Sequence, residues 1–160
     1  MKLRELTPAD APRCAELEKV LFPGETPWSS GVFRQEMAQP FNFYLGVEGA
    51  IEEPAPVKLL GYAGIGMMGP AADPEFEIHT IGVDPKAQRR GIARMMMDNI
   101  CHIADLKDAP VFLEDRRRTG RHRRCARVFA RDPGRYPAFG PRFARSTCHP
   151  IRGDCRAAVR

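Results

Sequence analysis

One stretch of the sequence decides the fold, and it reads Thr80-Ile81-Gly82-Val83-Asp84-Pro85-Lys86-Ala87-Gln88-Arg89-Arg90-Gly91-Ile92-Ala93-Arg94. A strand-like run ends in a tight turn, and the chain then enters a helix through basic and small residues. The first amides of a helix have no intrahelical acceptor, and the helix dipole is positive at that end. Gly91 and Ala93 leave room for an anion, and Arg89, Arg90 and Arg94 attract a phosphorylated ligand over a longer range. The stretch therefore predicts a site for the paired phosphates of a nucleotide diphosphate.

Hydrophobic periodicity around this stretch predicts an α/β fold with a partly antiparallel sheet. Apolar runs predict five strands, at residues 3–6, 43–47, 58–67, 76–83 and 110–114. Apolar residues spaced three and four apart predict three helices. The first covers residues 7–22, the second begins at Ser29 or Ser30 and ends before Pro40, and the third covers residues 91–106.

Two of these elements carry a detailed prediction about which side chains share a face. On the first helix, the spacing places six apolar residues toward the core: Ala11, Cys14, Ala15, Leu17, Val20 and Leu21. In the fourth strand, strict alternation places Phe76, Ile78, Thr80 and Gly82 on one face of the sheet, and Glu77, His79, Ile81 and Val83 on the other.

The size and composition of the chain favour a single soluble domain. With 160 residues it has room for one core. No apolar run reaches the roughly 20 residues needed to cross a bilayer, and the first residues lack the apolar stretch of a secretory signal. We therefore expect a cytoplasmic protein with no membrane contact. The five cysteines include no CxxC pair, so we expect no disulfide framework and no metal site.

The net charge of +5 hides a sharp division of the chain near Glu114. Residues 1–114 hold 11 basic and 17 acidic residues, whereas residues 115–160 hold 14 arginines and 3 aspartates. The second part also contains no Leu, Glu or Met, although Leu and Glu are among the commonest residues of globular domains. We therefore expect one domain over 1–114 and an Arg/Pro-rich tail over 115–160, with too little apolar content to fold.

The loop motif resembles the acetyl-coenzyme A loop of the GNAT acetyltransferases, which follows a strand ending in Val-Asp-Pro. Gln88, Gly91 and Ala93 match the family pattern, which differs from the three-glycine dinucleotide motif. The resemblance implies a GNAT fold, a mixed and mostly antiparallel sheet flanked by helices, with acetyl-coenzyme A (acetyl-CoA) as cosubstrate. It also implies a set of coenzyme contacts: the backbone of Ile81, Gly82 and Val83 for the pantetheine arm, and Gln88, Arg89, Arg90, Gly91, Ile92, Ala93 and Arg94 in the phosphate loop.

Further segments are similar to the bacterial ribosomal-protein-alanine N-acetyltransferases, which modify the N-terminal α-amine of a protein. The resemblance covers about residues 3–114, and its segments are 17–22, 27–29, 41–44, 78–85 and 113–114. It implies acetyl transfer to a protein or peptide N-terminus, with a ribosomal protein as a possible partner. Trp28, the single tryptophan, either lines the acceptor channel or packs in the core.

Acetyl transfer requires a neutral acceptor amine, because an ammonium has no lone pair for attack on a thioester. An α-amine ordinarily has a pKa of roughly 7.7–8.0, so a nearby base has a modest task. The resemblance assigns this base to Glu114, at the end of the last predicted strand. His79, on the neighbouring strand, is either an alternative base or a hydrogen-bonded structural residue.

Beyond Glu114 the sequence departs from the family pattern. The expected C-terminal helix and hairpin are missing, as is the tyrosine that would protonate the leaving thiolate, and Tyr136 does not match its place. Either the tail is translated out of frame, or it is a basic segment that contacts RNA or the ribosome through its arginines. The alternatives to an active enzyme are therefore a catalytically impaired acetyl-CoA-binding remnant and a basic RNA-associated protein.

Overall fold

The structure is a computed structural model, and it describes residues 1–24, 26–52, 54–116, 122–126 and 158–159. For residues 114–116, 122–126 and 158–159 the description covers the backbone. All statements about the fold below refer to these parts of the chain.

Three α-helices and seven strands make up the described fold. The helices are α1 (Ala11–Leu21), α2 (Ser30–Met37) and α3 (Ile92–Leu106). The strands are β1 (Lys2–Glu5), β2 (Asn42–Gly49), β3 (Lys58–Met68), β4 (Glu75–Val83), β5 (Val111–Arg116), β6 (His122–Ala126) and β7 (Ala158–Val159). The five strands and three helices that periodicity predicts are confirmed, with boundaries that move by a few residues.

The strands form one mixed sheet in the order β1-β2-β3-β4-β5-β6, and β7 joins it by pairing with β4. Strands β1 to β4 are antiparallel neighbours, and β5 and β6 are antiparallel to each other. The β4–β5 pair is parallel and short, with Phe76–Ile78 of β4 facing Val111–Leu113 of β5. The predicted α/β class with a mostly antiparallel sheet is confirmed.

Helices cover both faces of the sheet, and each face has its own apolar core. On one face, Ile92, Met96 and Ile100 of α3 pack with side chains of β2, β3 and β4. On the other face, α1 and α2 contribute residues such as Leu17 and Phe33, which pack against Tyr44 and Tyr62 of the sheet. We refer to these as the α3 face and the α1/α2 face. Burying apolar side chains on both faces is what stabilises this three-layer arrangement.

The buried face of α1 differs from the prediction at two positions. Val20 is 60% exposed, whereas Glu18 is fully buried. Ala11, Cys14, Ala15 and Leu17 do lie in the core, as predicted. Because an α-helix has 3.6 residues per turn, position 18 lies among positions 11, 14 and 15, whereas position 20 lies on the opposite side of the helix. Apolar character alone therefore misplaced Val20 and missed the buried carboxylate.

The alternation predicted for β4 is also wrong beyond Ile78. The β3–β4 register passes from Gly64↔Thr80 to Ile65↔Ile78, so His79 is an extra residue that forms a β-bulge. A bulge shifts the side-chain phase by one residue. Consequently Ile81 and Val83 join Ile78 in the core of the α3 face. The pattern 76, 78, 80, 82 holds only as far as Ile78.

Two described strands fall inside the predicted tail of residues 115–160. Backbone pairing places β6 beside β5 and β7 beside β4. The periodicity analysis did not predict either strand, because neither segment has a clear apolar alternation. The remaining tail residues, Tyr136 among them, lie outside the described part of the chain, so the prediction that the tail is disordered or out of frame stays a prediction.

Gly64 gives a direct test of packing on the α1/α2 face. A Cβ at this position would lie closer than 3.0 Å to atoms of the Tyr44 ring, which is 1% exposed. We expect Gly64→Ala to lower the free energy of unfolding by about 1–3 kcal/mol, because a buried ring cannot easily move aside. Urea unfolding would measure the change.

Gly31→Ala is the matched control, since a Cβ there would meet only the Ser29 Oγ, at 3.5 Å. We expect a small stabilisation, up to about 1 kcal/mol, from the better helix propensity of alanine. Equal unfolding free energies for the two variants would contradict the packing described for Tyr44.

Candidate active site

The turn after β4 is fixed by three interactions that involve Asp84. Its backbone N–H donates to Leu60 O at 2.8 Å, and its carboxylate accepts from the Lys86 N–H at 3.0 Å. The same carboxylate forms an ion pair with Arg13 of α1, at 2.7 Å. Arg13 also donates to Leu59 O at 3.3 Å. Asp84 thus caps the short 3-10 turn Pro85–Ala87 and ties it to α1 and β3.

Gln88 and the two residues with positive φ shape the loop that leads into α3. The Gln88 side-chain N–H donates to Val83 O at 3.2 Å, which holds the loop against the end of β4. Arg89 has φ 64° and Gly91 has φ 81°, so both are left-handed. Gly91 is the N-cap of α3, and an added Cβ there would meet nothing within 4 Å. The glycine is therefore required by its backbone conformation, since its surroundings are open.

The side chains of this loop divide into exposed and buried sets. Arg89, Arg90 and Arg94 are exposed, and within the described residues none of them forms an ion pair. Ile92, in contrast, is 1% exposed and packs in the core of the α3 face. The backbone of Ile92 can therefore face a ligand while its side chain anchors the helix. Free amides at the start of a 15-residue helix, with unpaired arginines around them, suit an anionic group.

Strand β4 is paired with β5 over only part of its length. Its pairing with β5 stops at Ile78, although β4 continues to Val83. In this structure, β7 pairs with the segment beyond the stop, with Ile81↔Val159 and Gly82↔Ala158. The side chains of Ile81 and Val83 point into the core, so that the backbone is what this segment offers to a ligand. A ligand that pairs with Ile81 and Gly82 would have to take the place of β7.

A buried carboxylate connects the elements on the α1/α2 face. Glu18 is fully buried, and it accepts from the Tyr62 hydroxyl at 2.5 Å and from the Thr80 hydroxyl at 3.1 Å. It also accepts from the Trp28 backbone N–H at 3.5 Å. Burial, together with the charge of Glu18, raises the pKa of Tyr62 well above its ordinary value. The phenol therefore stays protonated and keeps donating to Glu18.

Trp28 lies in the segment between α1 and α2, where its side chain is half-buried. Its ring packs edge-on against Phe33, with centroids 5.5 Å apart. This contact attaches it to the core of the α1/α2 face. The structure thus gives Trp28 a packing contact, and its part in an acceptor channel stays a prediction.

The two predicted bases directly follow the last paired residues of β4 and β5. Ile78 and Leu113 are the last paired residues of β4 and β5, so His79 and Glu114 are the next residue on each strand. The Glu114 side chain lies outside the described part, and its catalytic role stays a prediction. The His79 side chain is 22% exposed, and its Nδ1 lies 3.5 Å from Glu36 Oε2. The fold therefore brings both candidate bases to the point where β4 and β5 separate.

The other reactive groups of the described residues do not form a second site. No cluster of three or more His, Cys, Asp or Glu side chains that could hold a metal occurs among them. Burial raises the pKa of the Cys14 thiol to about 12, with the nearby charges of Asp10 and Glu18 adding to the effect. Cys14 is therefore a poor nucleophile near neutral pH. Among the described helices, none is long and apolar enough to span a membrane.

This combination of fold and loop defines the class of protein. A sequence model of the Acetyltransferase (GNAT) family matches residues 11–127, and the chain belongs to this family. The match begins in α1 and extends past Glu114 through β6.

Two curated relatives narrow the comparison. The chain is 44% identical over 111 residues to the N-alpha-acetyltransferase RimI of Mycobacterium tuberculosis, in an alignment covering 69% of this chain and 65% of that protein. It is also 39% identical over 111 residues to an uncharacterized protein of Mycobacterium leprae. That alignment covers 69% of this chain and 29% of that protein. The chain thus spans less than two thirds of the length of these curated relatives.

Solved structures of acetyltransferases share the fold. The ribosomal-protein-S18-alanine N-acetyltransferase of Escherichia coli superposes with a TM-score of 0.53 at 21% identity, covering 74% of this chain and 68% of that chain. A putative acetyltransferase of Agrobacterium tumefaciens gives a TM-score of 0.56 at 23% identity, covering 69% and 78%. An aminoglycoside 6'-N-acetyltransferase complexed with coenzyme A gives a TM-score of 0.55 at 16% identity, and the superposition covers 74% of this chain and 64% of that chain. At these identities, the likenesses establish the fold.

Several residues that shape the site were missed by the sequence analysis. Glu18 and Arg13 lie on a helix face that was interpreted as apolar, and their partners are 62 and 71 residues away in the chain. Glu36 lies on a helix whose apolar residues alone were considered. The i and i+3/i+4 spacing of Glu18 with Cys14 and Ala15 was the one available signal that this carboxylate is buried.

Proposed function

We propose that this chain transfers the acetyl group of acetyl-CoA to the N-terminal α-amine of a protein, as the ribosomal-protein-alanine N-acetyltransferases do. The observation that carries the proposal is the exposed loop at the start of α3, with left-handed Gly91 and three arginines that form no ion pair with any described residue. The family membership and the similarity to RimI support acetyl transfer. The finer part of the proposal is that the acceptor is a protein N-terminus, in particular that of a cytoplasmic ribosomal protein.

In this proposal the coenzyme lies across the end of β4. The free amides of Gly91, Ile92, Ala93 and Arg94 hold the pyrophosphate, and Arg89 and Arg90 attract it. The pantetheine arm pairs with the backbone of Ile81, Gly82 and Val83, as an added strand would. This position brings the thioester toward the place where β4 separates from β5.

The acceptor amine approaches this place from the α1/α2 face. The opening lies beside His79 and Glu114, and the α1–α2 segment with Trp28 forms one boundary of the same face. Glu114 takes a proton from the amine, whose nitrogen then attacks the thioester carbonyl. As the C–N bond forms and the C–S bond breaks, a second proton leaves the nitrogen and passes to the departing thiolate, and the first leaves Glu114 for solvent.

Two other functions make different predictions from the same chain. A catalytically impaired remnant would bind acetyl-CoA without releasing thiol. A basic RNA-associated protein would bind RNA through the arginines of residues 115–160, with an affinity that falls steeply as salt rises. The family match and the phosphate loop favour a coenzyme-binding protein over the RNA-associated one, and thiol release separates the enzyme from the remnant.

The first test is thiol release from acetyl-CoA in the presence of a peptide that begins with alanine. We expect activity in the wild type, and a loss of about 100-fold or more in kcat for Glu114→Gln, because the amide cannot accept the proton. Glu75→Gln, which neutralises an exposed carboxylate at the start of β4, is the control and should keep its activity. Binding of acetyl-CoA without thiol release would support the impaired remnant instead.

The second test concerns the phosphate loop. We expect the double variant Arg89→Gln/Arg90→Gln to weaken binding of coenzyme A by about tenfold, since two charges near the phosphates are lost. Lys107→Gln makes a similar change at the other end of α3 and should leave the affinity unchanged. Calorimetry at two salt concentrations would measure both. Equal affinities for all three proteins would place the phosphates elsewhere.

The third test asks whether β7 competes with the coenzyme. Proline lacks a backbone N–H and fits poorly within a sheet, so Ala158→Pro/Val159→Pro should release β7 from β4. One or two backbone hydrogen bonds, at about 0.5–1.5 kcal/mol each, would then no longer oppose binding. We expect the affinity for coenzyme A to rise by about threefold to tenfold. An unchanged or weaker affinity, measured by calorimetry, would show that coenzyme and β7 do not share this edge.

A further inference from the structure

The loop between β4 and α3 is anchored to the sheet at both of its ends. Where α3 begins, Ile92 packs so closely on β3 that a Cβ added to Gly61 would lie 2.9 Å from the Ile92 Cγ2. Where β4 ends, Asp84 is 8% exposed, and its backbone N–H donates to Leu60 O at 2.8 Å. The residues between these ends are mostly exposed. The position of the loop amides therefore depends on how firmly the two ends are held.

Arg13 of α1 joins the Asp84 end of the loop to the rest of the fold. Its guanidinium donates to three acceptors: Asp84 Oδ2 at 2.7 Å, Leu59 O at 3.3 Å and Glu16 Oε2 at 3.0 Å. The first two belong to the turn after β4 and to β3, whereas Glu16 lies on α1 itself and is 65% exposed. A guanidinium presents its donors in a rigid planar fork. Arg13 therefore fixes the turn relative to both α1 and β3.

The ion pair between Arg13 and Asp84 is partly shielded from solvent. The two side chains are 28% and 11% exposed, so water and salt screen this pair less than a fully exposed one. The other carboxylate oxygen of Asp84 accepts from the Lys86 N–H at 3.0 Å and so orients the 3-10 turn. Removing the guanidinium would leave a largely buried carboxylate without its counter-charge. The turn would then gain free energy by moving Asp84 toward water.

A movement of Asp84 would be passed on to the phosphate loop. The side-chain N–H of Gln88, where this loop begins, donates to O of Val83, the residue before Asp84. Backbone amides hold an oxyanion well only at the right distance and direction, and they bind more tightly when they need no ordering first. The guanidinium also offsets the negative charge of Asp84, which would otherwise repel an anion nearby. Both effects of Arg13 favour phosphate binding without direct contact.

We propose that Arg13 is a positioning residue for the coenzyme: acting through Asp84, it holds the loop between β4 and α3 in the geometry that binds the paired phosphates of acetyl-CoA. It does so from α1, which packs on the face of the sheet opposite α3. The inference rests on the proposed function, and it assigns the coenzyme site a residue that lies far from the loop in the sequence.

The first test compares a coenzyme that carries the diphosphate with a donor that lacks it. We expect Arg13→Gln to weaken binding of coenzyme A by about tenfold, measured by calorimetry, because the loop amides are no longer held in place. S-acetylpantetheine has the thioester and the pantetheine arm but no diphosphate. Its kcat/KM with an alanine-starting peptide should therefore stay within about twofold of the wild type, as should the KM for the peptide. Equal losses with both donors would overturn the inference.

The second test asks whether Arg13 acts through Asp84. Asp84→Asn keeps an oxygen for the Lys86 N–H but loses the charge that pairs with Arg13. We expect this variant to bind coenzyme A about threefold to tenfold more weakly than the wild type. The double variant Arg13→Gln/Asp84→Asn should bind no more weakly than Arg13→Gln, since both changes remove one interaction. Losses that multiply, or a wild-type affinity for Asp84→Asn, would contradict the proposal.

Two control variants separate positioning of the loop from general stability. Arg4→Gln breaks ion pairs with Asp10 and Glu48 that are 2.7 and 2.8 Å long, and the Arg4 side chain is 31% exposed. These pairs match that of Arg13 in length and burial, but they tie β1 to the start of α1 and to β2. Arg4→Gln should lower the melting temperature by a similar amount and leave the affinity for coenzyme A unchanged. Glu16→Gln, which removes the exposed partner of Arg13, should also bind as the wild type does.

The outcomes distinguish this inference from the proposed function. If Arg4→Gln weakened coenzyme A binding as much as Arg13→Gln, the effect would be general loosening of the fold, and the positioning role would be wrong while the proposed function stands. The same holds if Arg13→Gln bound coenzyme A as tightly as the wild type. A wild type that binds no coenzyme A would overturn both.

Discussion

The fully buried carboxylate of Glu18 is the constraint on which the arrangement of this protein depends. Burying a charge in an apolar layer is strongly unfavourable unless its hydrogen bonds are satisfied. Glu18 meets this requirement with donors from β3, β4 and the segment before α2. Because these donors come from separate parts of the chain, the carboxylate is satisfied only when α1 is seated correctly on the sheet. The position of α1 in turn sets Arg13, which holds Asp84 at the end of β4.

The end of β4 combines rigidity on one side with an open edge on the other. Arg13 and Gln88 fix the turn and the loop, and the left-handed Gly91 starts α3. Fixed backbone amides can hold an anion without reorganising, which lowers the entropy lost on binding. The neighbouring edge is different, because β5 leaves β4 at Ile78 and β7 fills part of the space. Two residues of β7 give few hydrogen bonds, so this pairing is weak enough for a longer ligand to replace.

The bulge at His79 links the two halves of the site. Before the bulge, β4 is paired on both sides. After the bulge, Thr80 lies on the α1/α2 face, whereas strict alternation would place it on the opposite face of the sheet. The one-residue shift places the Thr80 hydroxyl on Glu18 and the His79 ring beside Glu36 at the same level of the strand. A regular strand could present only one of these two side chains to this face. The bulge therefore brings two polar networks together at the opening between β4 and β5.

The sequence by itself determined the α/β class, the helices and main strands, and the loop from Gln88 to Arg94, because these depend on local periodicity and on residues close in the chain. The resemblance to the GNAT family placed Glu114 and His79 on neighbouring strands. The tertiary structure alone decided that Glu18 is buried, that His79 forms a bulge, and that Glu36 and Arg13 contact His79 and Asp84. These features arise from contacts between distant segments, such as the 71-residue separation of Arg13 and Asp84. A polar side chain finds such a partner only after the helices have packed on the sheet, so no local pattern encodes it.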